Sequence, residues 1–299
     1  MSELALHVVS VLLVLTSQAG APSSLGGTNQ RPSDSSGEQQ ATEPLPEIAP
    51  DDFVLLLLRI HVLDSEELPQ IDAHLTDEDI YRIVAKANGV WQAAGIRWRI
   101  ESIVREPAVD TQLFGLTEAM KPEGWSHYLL LRPEESRDKK LMHVYFVHEM
   151  NVNGVYLGGG VAFVKETAQL QPVEGGIDEP VPRVMSHELG HALGLPHRQD
   201  RTNLMASGKT GTLFNAAEIR RVRETVAKLD SAAPVGIMAR QAKEHYEAGR
   251  WSDALALDFE LVALPGRSSL KDEAWVRMVV TLYWGVGVKL PRNSDHGRR

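Results

Sequence analysis

The sequence predicts an α+β fold, on three observations. The stretch Phe53 to Val62 is almost continuously apolar, the pattern of a strand covered on both faces. Behind Thr76 and the acidic residues Asp77, Glu78 and Asp79, the apolar positions Ile80, Ile83, Val84, Ala87 and Trp91 recur at helical spacing. Past Pro234 only helical periodicity is found, so a small all-α extension follows a domain in which strands and helices are mixed.

Each further element has its own signal. After Gly95, Ile96, Trp98 and Ile100 alternate with Arg97 and Arg99, the period of a half-buried strand. A third strand is expected over Leu141 to Val147 and a fourth over Val161 to Val164, after Gly158-Gly159-Gly160. Val184, Leu189, Ala192 and Leu193 give the next helix an apolar surface, and Asn215 caps a helix carrying Ile219, Val222, Val226 and Leu229. That helix closes a domain spanning 51–230. In the extension, 234–290, helices are expected over Ile237 to Ala248, Trp251 to Ala263 and Asp272 to Tyr283. Ala242 to Pro265 is similar to one tetratricopeptide-type hairpin, with Tyr246, Gly249, Ala254 and Pro265 in the matching places. One such unit cannot bury its own face, so the helices are expected to dock on the preceding domain, with a protein partner as a further use.

The chemistry lies in the helix between them. His187-Glu188-Leu189-Gly190-His191-Ala192-Leu193-Gly194-Leu195-Pro196-His197 reads H-E-x-x-H-x-x-G-x-x-H. Residues four apart on a helix lie one turn above each other, so His187 and His191 can bind one metal ion from the same face. Glu188 sits about 100° further round, beside the open position of the metal where a base is useful. His197 cannot reach the metal on a continuing helix. Gly194 lets the chain leave at left-handed dihedrals and Pro196 stops the helix resuming, which returns His197 to the metal. At this composition a chance match to all five fixed positions is expected on the order of 10⁻⁴ times per chain.

These eleven residues resemble the zinc signature of the metzincin clan of metallopeptidases. Met205, in Asn203-Leu204-Met205-Ala206-Ser207-Gly208, is similar to the methionine that the clan places in a turn beneath the three histidines. The resemblance implies a metzincin-like catalytic domain, a twisted mixed sheet plus the zinc-binding helix. It implies one catalytic zinc ion on His187, His191 and His197, Glu188 as general base, and a peptide or protein substrate. It also implies that the last strand before the zinc helix lies at the sheet edge and pairs with extended substrate, which points to Val161-Ala162-Phe163-Val164. Ser207 stands where astacin-like members carry a tyrosine, and Arg198 after the third histidine selects no subfamily. The expected type is therefore matrixin-like or reprolysin-like, bacterial in kind.

Two other readings belong to different classes: a zinc hydrolase of a non-peptide amide, and a partner-binding protein with a structural zinc. Structural zinc sites normally have four protein ligands, and no fourth accompanies the three histidines, which favours catalysis. The remaining histidines complete no metal-binding spacing. His148-Glu149 imitates the start of the motif but Val152 stands where the second ligand would be, and His61, His74, His127 and His143 read as surface or satisfied core residues.

Leu4 to Leu15 is an apolar run too short to span a bilayer and followed by small residues, so 1–19 reads as a signal peptide cut after Ala19, although Met1-Ser2-Glu3 lacks the usual basic residue. Residues 20–50, rich in Ser, Gly, Pro, Gln, Glu and Thr, read as a disordered linker or short propeptide. A secreted or periplasmic chain with no membrane span after cleavage is expected. The formal net charge of −9 and the lack of a basic run exclude nucleic acid as an expected partner. With no cysteine in the chain, disulfides, thiolate ligands and the cysteine latch of matrixin precursors are all unavailable.

Overall fold

The computed structural model describes residues 43–138 and 140–283; the expected signal peptide, most of the 20–50 segment and residues 284–290 lie outside them. Strand β1 (Val54–Asp64) runs parallel to β2 (Ile96–Pro107) on one side and to β3 (Met142–Val147) on the other. Helix α1 (Asp77–Trp91) makes the crossover between the first two strands. Thr76 caps it as expected, its hydroxyl accepting from the Asp79 N–H while the Asp79 carboxylate accepts from the Thr76 N–H.

Several short elements went unpredicted. Helix α2 (Thr111–Ala119) follows β2, and a three-residue strand β4 (Gly154–Tyr156) precedes β5 (Val161–Lys165). Strand β5 is parallel to β3 and antiparallel to β4, giving the order β2-β1-β3-β5-β4. This corrects the expectation about the sheet edge: Val161 to Val164 pairs on both sides, and the edge is Gly154–Tyr156. The reason is the glycine run. Gly158, Gly159 and Gly160 all have positive φ and fold β4 back on β5, with the Leu157 N–H donating to the Val161 carbonyl at 2.8 Å.

Helix α3 (Pro180–Ala192) and helix α4 (Ala216–Val226) complete the face that α1 covers. The core there joins Leu58, Ile60 and Val62 of β1 to Trp91, Val184, Leu189 and Val222, all nearly inaccessible. On the opposite face Tyr145, Phe163 and Leu63 pack against Phe114, Tyr128 and Leu131. The sheet is thus mixed and covered on both sides, an α+β arrangement. Glu43 accepts from Arg220 of α4, and Ile48 packs on the core beside Gly95, so the last part of the 20–50 segment lies on the domain.

A two-residue strand β6 (Ala233–Pro234) pairs with the start of β1 and leads into α5 (Val235–Glu247), α6 (Trp251–Val262) and α7 (Ser269–Tyr283). Phe53 and Leu55 form a third apolar cluster with Val235, Met238, Ala239, Leu261 and Leu264. The helices therefore cover one end of β1. A chain ending at Asp230 uncovers Phe53 and Leu55, at about 1.5–3 kcal/mol each. We expect it to melt on the order of 10 °C lower while still binding metal, as thermal melts with and without zinc would show. An unchanged melting temperature contradicts this packing account.

Candidate metal centre

Helix α3 starts with Pro180 in its first turn and is buried almost all round, from Val181 to Gly190. It ends in a Schellman motif. Gly194, at φ 85°, takes the left-handed position, with its N–H donating to the His191 carbonyl at 3.0 Å and the Leu195 N–H to the Gly190 carbonyl at 2.9 Å. This is the exit the sequence requires, and it returns His197 to the helix. One nitrogen of each of the three imidazoles lies within 4.8 Å of the others, and the Nε2 atoms of His191 and His197 are 3.1 Å apart. Ligands about 2.0–2.1 Å from a tetrahedral zinc ion stand roughly 3.3 Å from one another, so the donor set fits such an ion.

The second nitrogens fix the tautomers. His187 Nδ1 donates to the Leu204 carbonyl at 2.9 Å, and His191 Nδ1 to the Leu195 carbonyl at 2.8 Å, which leaves both Nε2 lone pairs free. Burial pushes His187 down to about 3, and the nearby Arg183 guanidinium acts in the same direction. His187 is therefore neutral at pH 7, the state a metal ligand needs. Burial lowers His191 as well.

Glu188 is buried against the edge strand β4. A Cβ added to Gly154 would stand 3.0 Å from its Oε1, and the Tyr156 backbone N–H donates to its carboxylate. Burial pushes this carboxyl up to about 8, opposed by Arg183 and by the Tyr156 N–H. A cation on the histidines acts in the same sense as Arg183. A carboxyl held near neutrality is suited to taking and returning a proton.

Met205 is fully buried under the helix: a Cβ added to Gly190 would stand 2.6 Å from its sulfur. Gly190 is thus the small residue that lets the turn approach. Gly190→Ala forces an overpacked contact on a methionine that has no exit to solvent. We expect a loss of about 1–3 kcal/mol, read in denaturant unfolding of the metal-loaded protein. Unfolding identical to wild type would refute the close approach.

Sequence reasoning missed the residues that hold this turn. Arg183, one helical turn before His187, is buried; its Nε donates to the Gly211 carbonyl at 3.2 Å and its Nη2 to the Ala206 carbonyl. Its Nη1 lies 3.2 Å from His187 Nδ1, but that nitrogen already carries the proton given to Leu204, so the contact joins two donors. Glu218, almost inaccessible, accepts from Arg198 Nε, Asn203 Nδ2 and the Asn215 N–H at 2.8–2.9 Å, and Asn203 Oδ1 accepts from the Met205 N–H at 2.7 Å. The visible signal was Asn215-x-x-Glu218, a capping box, which tells of the helix start and nothing of the turn.

His245 accepts from Arg250 Nε at 2.7 Å in the helical extension, and the five described histidines of the preceding domain outside the motif divide into two groups. His61, His127 and His143 are buried and hydrogen-bonded, His61 between Glu106 Oε1 at 2.6 Å and His143 Nδ1 at 2.9 Å. His74 and His148 are brought together with Glu166.

No protein-family profile matches the chain, and no curated protein matches it. Among solved structures it is similar to a zinc-dependent peptidase from Methanocorpusculum labreanum (strain Z), at 14% identity over 56% of this chain and 98% of that one, with a TM-score of 0.26. At that score the likeness says nothing about chemistry.

Proposed function

We propose that the chain is an exported zinc-dependent metalloendopeptidase of metzincin type. Its ligands are His187, His191 and His197, its general base is Glu188, and Met205 lies below the metal. One observation carries this reading: three converging imidazoles stand beside a buried carboxyl borne by the same helix. Three nitrogen donors, with no fourth protein ligand among the described residues, are the set of a catalytic zinc, which keeps one position for water or substrate. A zinc ion held there lowers the pKa of a water to roughly 7 and polarises a carbonyl.

The protein's own groups do the rest. Glu188 accepts the proton of the attacking water and passes it to the leaving nitrogen, with the Tyr156 N–H holding the carboxylate in place. His187 and His191 are kept in the ligating tautomer by the Leu204 and Leu195 carbonyls. A peptide substrate is favoured over another amide because β4, which Glu188 touches, is the edge of the sheet among the described residues, where an extended chain can add as a further strand. Export rests on the apolar run from Leu4 to Leu15. Among the described residues no helix is long and apolar enough to cross a membrane.

The test pairs a proteome-derived peptide library with a panel of non-peptide amides, both given to the zinc-loaded protein. Cuts inside peptides are expected, read by mass spectrometry. Hydrolysis confined to the non-peptide amides would transfer the same centre to the other class of hydrolase.

A further inference from the structure

Strands β1, β3 and β5 are mutually parallel, so their C-terminal ends share one border of the sheet. Three potential metal ligands collect there. His74 lies between β1 and α1, His148 follows β3 directly, and Glu166 follows β5 directly. One ligand atom from each lies within 4.8 Å of the others. Glu166 Oε1 is 2.6 Å from His148 Nδ1 and 3.3 Å from His74 Nδ1, the second figure close to the separation of two ligands on a tetrahedral zinc.

The surroundings support ligation. The His74 backbone N–H donates to Glu166 Oε2 at 2.8 Å, which orients the carboxylate and leaves Oε1 toward the imidazoles. Asp72 Oδ2 stands 3.3 Å from His74 Nε2, the place of a carboxylate that receives the outer ring N–H of a metal-bound histidine. Glu166 is mostly buried, whereas His74 is exposed, so an ion can enter from solvent.

We propose that His74, His148 and Glu166 form a second metal site, for a divalent transition cation of the zinc class. Two imidazoles and a carboxylate suit zinc or cobalt and do not suit calcium or magnesium, which prefer all-oxygen shells. Bound there, the ion ties the segment before α1 to the ends of β3 and β5, and solvent completes its shell. The site is independent of any catalytic role for the three-histidine centre.

The test counts zinc in the full chain. In a His187→Ala/His191→Ala double variant, which removes the first centre, dialysis against zinc and elemental analysis should leave one ion per chain. Adding Glu166→Gln, nearly isosteric and still able to accept the His74 N–H, should remove it. Asp72→Asn should weaken zinc affinity by about 10-fold or more in competition with a chromophoric chelator. No zinc in a folded double variant, or zinc that Glu166→Gln does not displace, overturns the proposal. Should the double variant fail to fold, wild type is compared with Glu166→Gln alone: two ions falling to one supports the site, and equal content overturns it.

Discussion

Glu188→Gln is expected to keep its zinc and lose at least about 10²-fold in peptide hydrolysis. The substitution is nearly isosteric, so the side-chain oxygen still accepts from the Tyr156 N–H and the packing against Gly154 is preserved. What is lost is the ability to hold a proton during the reaction. Stability should not fall, because burial raises the Glu188 pKa and therefore disfavours the very charge that glutamine removes. Elemental analysis, a thermal melt and a peptide assay on one preparation separate these effects. Near wild-type turnover would remove Glu188 from the mechanism.

Replacing any one of His187, His191 and His197 by alanine should release one equivalent of zinc and abolish hydrolysis. Affinity should fall further than the roughly 10- to 100-fold that loss of an orienting partner costs, since a ligand itself is gone. The three variants should nonetheless differ without metal. His187 is buried and donates to the Leu204 carbonyl, so His187→Ala leaves an acceptor without its donor, at about 1–3 kcal/mol. His197 is exposed, and His197→Ala should melt as the metal-free wild type does. Full zinc retention in all three would mean that the histidines are not the ligands.

The parts of the fold that sequence made legible are those written in contiguous residues. The three histidines, Glu188 and the glycine exit lie within eleven positions, and the caps at Thr76 and Asn215 bond three residues ahead. Strand β1 is almost continuously apolar from Val54 to Leu58 because both faces are covered. What escaped depends on distant segments or on elements too short to show a period. Three residues, Gly154–Tyr156, cannot display alternation, yet they form the edge and thereby place β5 in the interior. Helix α2 buries only Phe114, so its nine residues show no apolar period, and Asp110 before it takes left-handed dihedrals without capping. Arg183 reads as an ordinary polar residue because its partners are backbone carbonyls at 206 and 211. His74, His148 and Glu166 have no common spacing; the parallel strands bring them together.

The most direct test of the central claim is peptide cleavage by the protein as a function of its metal. Protein stripped by chelator and dialysed should cleave no peptide, and added zinc should restore the cuts at the same internal bonds, detected as new termini by mass spectrometry. Zinc-loaded, folded protein that cleaves no peptide, or protein that cleaves equally well without metal, would contradict the account.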